Sequence, residues 1–249
     1  MADGKTKILV LVEGAKTDVA LMRHLLSVYE IDAKYEIVSY NTNIYTLYQE
    51  MFIDNDPSEI DLLQLLKSRD PMNKDIFDIS YSDVLLIFDL DPQAPDYSQE
   101  KIRRMASYFV ESSDMGKLYL NYPMVEAFYH MRSIPDPEYY RRTASMKELV
   151  AGSYKARVNQ ENRNRDYRKF AVTREECSIV IYQNIDKAWQ LVGHTSTEPL
   201  PPDQQDILRS QLSIMDREQR VFVLSTCPFF VAEYNPALLK SEKEDAQHP

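Results

Sequence analysis

Apolar residues gather in short unbroken runs that alternate with segments of helical spacing. KILVLV at 7–12 is a continuous apolar run of strand length, and from about Thr17 the segment LMRHLL carries apolar positions at helical intervals. KYEIVS at 34–39 predicts a second strand, followed by helices near 42–52 and 58–68. DVLLIF at 83–88 shows no alternation, the pattern of a strand covered on both faces of a sheet. After the loop 89–95, Ser98 is placed to cap a helix running to about Glu111. GKLYLN at 116–121 predicts a fourth strand, with a helix starting at Pro123 immediately after it.

Strand and helix in repeated alternation predict a parallel α/β sheet flanked by helices. In such sheets the working residues sit in loops at the carboxyl ends of the strands. The acidic and amide residues fall there: Glu13 after the first strand, Asp89 and Asp91 after the third, Asn121 after the fourth. From about 132 the character turns polar, basic and helical, with a long helix over 173–192 containing Trp189. A Pro-rich break at 198–202, a helix near 203–218 and a last strand at 221–226 follow. The expected organisation is a catalytic core over 5–131, a mainly helical elaboration over 132–240 and a flexible tail over 241–249.

Composition removes several classes of function. The 249 residues hold five glycines, at positions 4, 14, 116, 152 and 193. None of them can form a glycine-rich dinucleotide fingerprint or a P-loop, so dinucleotide binding by such a fingerprint and Walker-type ATP binding are both excluded. Cys177 and Cys227 stand fifty residues apart and the four histidines show no zinc-hydrolase spacing, so the thiols are expected to be core residues in a reducing compartment. No apolar stretch approaches membrane-spanning length, and the expected location is cytoplasmic.

The net charge of −10 argues against a nucleic-acid partner until its distribution is considered. Between Tyr139 and Arg174 ten basic residues face three acidic ones, a local +7 that leaves −17 for the rest. Arg141, Arg142, Lys155, Arg157, Arg163, Arg165, Arg168 and Lys169, with tyrosines interleaved, make a candidate surface for a nucleic-acid backbone. A solvated helical face is the plainer account of the same run.

The strongest constellation is acidic. Glu13-Gly14 ends one apolar strand and Asp89-Leu90-Asp91 ends another, so adjacent parallel strands bring three carboxylates to one edge. Hard oxygen ligands of this kind suit Mg²⁺ or Mn²⁺, which activate water and clamp a phosphoryl group. Lys16 and Lys117 are candidate flanking cations.

LVEGAKTD followed by LLIFDLDPQ resembles the TOPRIM domain of topoisomerases, bacterial-type primases and the overcoming-lysogenisation-defect nucleases, whose hallmark is a strand ending in Glu-Gly and a later one ending in Asp-x-Asp. LYLNYPMVEAFYH resembles a stretch of stand-alone RloB-like TOPRIM proteins, and the arrangement is similar to the AriB-like effectors of the PARIS anti-phage system. The resemblance covers about 5–131. It implies a TOPRIM-like Rossmannoid sheet, with Asp89 and Asp91 as metal ligands, Glu13 as general acid/base or ligand, and Asp18 at the family's second acidic position. Asn121 and Glu126 match only the narrower subgroup, and Tyr122 interrupts that subgroup's Asn-Pro pair. The implied activity is Mg²⁺- or Mn²⁺-dependent cleavage of DNA or RNA, tRNA included, by a toxic antiviral effector. Its implied partners are a controlling ATPase and a second copy of the chain, with no membrane. The alternative is a non-catalytic interaction protein that keeps the sheet as a scaffold.

Overall fold

The computed structural model describes residues 7–53, 56–113, 115–194 and 200–239. The expected tail over 241–249 and the first two residues of the break at 198–202 lie outside them. A five-stranded sheet in the order β2-β1-β3-β5-β4 is flanked by helices, an α/β architecture compatible with a Rossmann-like fold. Its strands are β1 (Ile8–Val12), β2 (Tyr35–Ser39), β3 (Asp83–Asp89), β4 (Val110–Glu111) and β5 (Gly116–Asn121). β1 pairs in parallel with β2 and with β3, in a register that sets Val12 opposite Ser39 and Ile87.

All five residues of β1 are buried, as are Val84 to Asp89 of β3. This double coverage is why neither strand alternates, and each large aliphatic side chain so covered contributes about 1.5–3 kcal/mol. The helix α1 (Thr17–Val28) buries Leu21, Met22, Leu25 and Leu26, one stripe at helical spacing. The helix α2 (Ile44–Phe52) and the short helices α3 (Leu62–Arg69) and α4 (Lys74–Phe77) precede β3. Ser98 caps α5 (Gln99–Tyr108) by accepting the Lys101 N–H. This helix stops earlier than its apolar spacing predicts, because Val110 and Glu111 leave it to pair antiparallel with Lys117 and Gly116.

The chain divides into two compact units, one running to residue 88 together with 96–119, the other made of 89–95 and the residues from 120 on. In the second unit the expected helix at Pro123 does not form. Tyr122 exchanges two backbone hydrogen bonds of 2.8 Å with Leu224, Met124 is extended, and only a 3-10 turn at Val125–Tyr129 follows. Every residue from Asn121 to Met131 is buried, so the segment has no polar face to offer solvent as a surface helix would.

The remainder is less uniformly helical than expected. β6 (Thr143–Ser145) pairs antiparallel with β7 (Arg220–Phe222), and these form a separate two-stranded sheet in place of a further strand over 221–226. The helices are α6 (Met146–Val150), α7 (Tyr154–Glu161), α8 (Arg174–Leu191), α9 (Gln204–Glu218) and α10 (Phe229–Tyr234). Thr173 caps α8 through the Glu176 N–H. Gln211 of α9 brackets Phe222, donating to its carbonyl and accepting its N–H at 2.9 Å each, which satisfies a strand edge from a helix. Both cysteines are buried free thiols, as their isolation in the sequence predicts. Among the described residues no helix is long and apolar enough to cross a membrane.

Candidate metal centre

The carboxylates of Glu13, Asp89 and Asp91 meet with oxygens within 4.8 Å of one another. Strand pairing accounts for their convergence. The Glu13 N–H donates to the Ile87 carbonyl at 3.1 Å and its own carbonyl accepts the Asn41 N–H at 3.0 Å, so the residue is held just past β1, one position short of Asp89 in the register of the neighbouring strand. Gly14 has a reason of its own: a Cβ there would stand 2.6 Å from Asp18 Oδ2. Glycine therefore lets the buried Asp18 carboxylate, in the first turn of α1, lie against the backbone beside Glu13. Asp18 is not one of the three that meet within 4.8 Å.

Asp89 closes β3 and is 6% exposed. Past it the chain stays paired, with Leu90 N–H donating to the Asn121 carbonyl (3.0 Å) and Asp91 N–H to that of Pro123 (3.1 Å). Asp91 takes φ +40, a left-handed turn that aspartate tolerates better than most side chains, and Gln93 Nε2 donates to its Oδ1 at 3.0 Å. Burial raises the Asp91 carboxyl above its ordinary range; Gln93 and the Lys155 charge act against this, and Glu126 adds to it.

Asn121 is fully buried and serves as a positioning residue. Its Nδ2 donates to Asp89 Oδ1 at 3.2 Å, while its Oδ1 accepts Ser225 Oγ–H (3.2 Å) and the Cys227 N–H (3.3 Å). The Ser225 N–H in turn reaches Asn184 Oδ1, which also accepts the Tyr139 hydroxyl. Ser225, Cys227 and Asn184 carry no sequence signal for this role, since they lie 63 to 106 positions from Asn121 and look like ordinary core residues.

Glu126 is 4% exposed. Its Oε1 pairs with Lys155 Nζ at 3.1 Å, and its Oε2 is buried without a hydrogen-bond partner. Burial acts to lower the Lys155 ammonium, but the charges of Glu126, Asp89 and Asp91 outweigh it and leave the group raised. Lys155 thus belongs to the carboxylate cluster, away from the backbone-binding role its place in a basic run predicts.

The other sequence candidates separate. Lys117 sits at the amino end of β5, four residues and about 13 Å of strand from Asn121, so it does not flank the centre. Lys16 is exposed just before α1. Arg142 is turned inward, giving Nη1 to Asp136 Oδ2 (2.7 Å) and to the His130 carbonyl (2.5 Å). Arg157 pairs with Glu148 at 3.0 Å, Arg163 with Glu176 at 2.5 Å, and Arg168 with Asp166 at 3.2 Å. Arg141, Arg165 and Lys169 remain exposed, with no ion pair among the described residues. Medium-range folding has thus drawn much of the apparent basic surface into local neutralisation.

The donor set fits a hard divalent cation. All its atoms are carboxylate oxygens, Glu126, whose charge acts on Asp91, carries a buried Oε2 without a hydrogen-bond partner, and three acidic groups, Glu126, Asp89 and Asp91, act on the one lysine, Lys155. Compared with models of known families, with curated proteins and with solved structures, the chain matches none.

Proposed function

We propose that the chain is a Mg²⁺- or Mn²⁺-dependent nuclease built on a TOPRIM-like sheet, acting as a toxic effector under the control of a partner ATPase. The observation that carries the nuclease reading is the meeting of Glu13, Asp89 and Asp91 within 4.8 Å at strand ends. The effector role and the ATPase rest on the resemblance of LVEGAKTD, LLIFDLDPQ and LYLNYPMVEAFYH to stand-alone TOPRIM proteins.

A bound divalent ion supplies Lewis acidity toward a phosphoryl oxygen and a more acidic water. Asp89 and Asp91 would hold it, with Asp18 and the free Oε2 of Glu126 as further hard oxygens. Asn121 fixes the Asp89 carboxylate through the hydrogen bond to its Oδ1. Glu13, less buried than Asp89, is the residue to accept and return the proton of the attacking water. Lys155 offsets part of the charge of Glu126, Asp89 and Asp91 and so lowers the cost of bringing a phosphate diester near them.

The test uses wild type, Glu13→Gln and Asp89→Asn with single-stranded DNA, duplex DNA and total tRNA, each in Mg²⁺, Mn²⁺ and EDTA. Metal-dependent cleavage in wild type and none in either folded variant is the expected result. Undiminished cleavage in both variants would sink the assignment. Failure of the wild type to bind either metal, read by calorimetry, would favour the non-catalytic scaffold.

A further inference from the structure

A second centre lies wholly within the unit that begins at residue 120. A half-open cavity of about 530 Å³ is walled by Tyr140, Arg141, Lys187, Leu191, Arg220 and Phe222. The residues come from the 3-10 turn at Tyr139–Arg141, from α8 and from β7. The lining holds two arginines, one lysine and no acidic side chain, in a chain whose net charge is −10, and of the arginines Arg220 is paired with Glu218. No residue of the metal centre contributes to it.

Lys187 is 2% exposed, and its ammonium donates only to main-chain carbonyls, those of Tyr139 (2.7 Å) and Arg142 (2.9 Å). No carboxylate is within ion-pair distance of it among the described residues. It lies 4.2 Å from the Tyr139 ring centroid and 5.5 Å from that of Phe222. Burial, with the Arg142 charge, holds the Lys187 amine well below its ordinary range against the opposing pull of Asp136, and an anion entering the cavity would favour its protonated form. Arg141 is exposed and makes no ion pair among the described residues, so its planar fork is open to a bidentate acceptor. Arg220 stacks 5.5 Å over Phe222 and is held by Glu218 at 2.5 and 2.8 Å, and the Tyr140 hydroxyl donates to Asp186. These two acids stand behind the lining and orient it.

We infer that this cavity binds a nucleoside phosphate, with Arg141 and Lys187 on the phosphate and the rings of Tyr140 and Phe222 beside the base. Volume, charge and aromatic walls select this class together. A cavity of this size holds a ligand much larger than bare phosphate, and two aromatic walls suit a flat base beside the anion. Two sources present the same chemistry: a free mononucleotide, or one nucleotide of a polynucleotide chain.

Binding is measured by calorimetry on the full chain in EDTA, where the metal centre is silent. The probes are AMP, UMP, adenosine, inorganic phosphate and an eight-nucleotide RNA. Nucleotide or oligonucleotide should bind more tightly than adenosine or phosphate. Arg141→Gln, an exposed change that leaves the core untouched, should weaken binding about tenfold, and Phe222→Leu should weaken nucleotide but not phosphate. Mononucleotide binding identifies a free ligand, and binding of the RNA alone identifies a strand contact. Absence of binding by every nucleotide probe, an Arg141→Gln affinity equal to wild type, or adenosine binding as tightly as AMP overturns the inference. Glu13→Gln should bind as wild type does, so failure of the nuclease reading and failure of this one are separately visible.

Discussion

At the scale of single residues, Gly14 is the most informative position. A Cβ at 14 meets a carboxylate oxygen at 2.6 Å, and the cheapest relief is rotation of Asp18. Gly14→Ala is therefore expected to lower Tm by only a few degrees while reducing the stabilisation that Mg²⁺ gives. Melting curves with and without the metal test this, and an unchanged metal response would remove Asp18 from the centre. His130 makes a second residue-scale case. Burial, with the Arg142 and Arg157 charges, pushes its pKa down to about 3 against the opposing pull of Glu161, so the ring is neutral between Tyr154 and Glu161. Below pH 6.5 the unfolded chain takes up a proton that the folded chain refuses, so stability is intact above 6.5 and falls steadily toward pH 3. The loss by pH 5 is roughly 2 kcal/mol. His130→Gln should lose less than wild type by about that amount between pH 7 and 5 in urea titrations; equal losses would contradict it.

Elements decide how well the centre is held. β1 and β3 carry the carboxylates, but Asp89 is oriented from β5 and from the 225–227 turn through Asn121. Loss of such an outer partner typically costs 10–100-fold in metal affinity. Asn121→Ala should cost as much in Mg²⁺ affinity with the sheet intact by circular dichroism, and wild-type affinity would show that Asp89 needs no support. This division also explains what could be read from the chain. Unalternating runs identify β1 and β3 because both faces of each are covered, and the Glu13, Asp89 and Asp91 cluster follows from two strand ends. The Asn121 support could not be read, because it depends on a turn more than a hundred residues away. Pro123 misleads for a related reason: its favoured place in a first helical turn is a local preference, and the pairing of Tyr122 with Leu224 overrides it. The span of α8 was legible because it combines a Thr cap, acidic residues in its first turn and a long helical period.

For the whole molecule, the proposed nuclease reading makes charge decide how nucleic acid would be held. A uniform reading of residues 141–169 offers nine cations to a phosphate backbone, yet the Arg142 side chain is buried and Lys155, Arg157, Arg163 and Arg168 face carboxylates. Exposed and without an ion pair among the described residues are Arg141, Lys147, Arg165 and Lys169. With −17 on the rest of the chain, long-range attraction is weak and binding must come from these few contacts together with the metal centre. Four phosphate contacts give a slope of about −3.6 for log K against log salt on duplex DNA and about −2.8 on single strands, whereas nine would give about −8 and about −6.3. Binding of Glu13→Gln to a labelled oligonucleotide across a salt series measures the slope without turnover. A value near the steeper pair would mean that the local ion pairs open on binding and that the basic run acts as one surface; the shallower pair is expected, because each of those cations already has a carboxylate within reach.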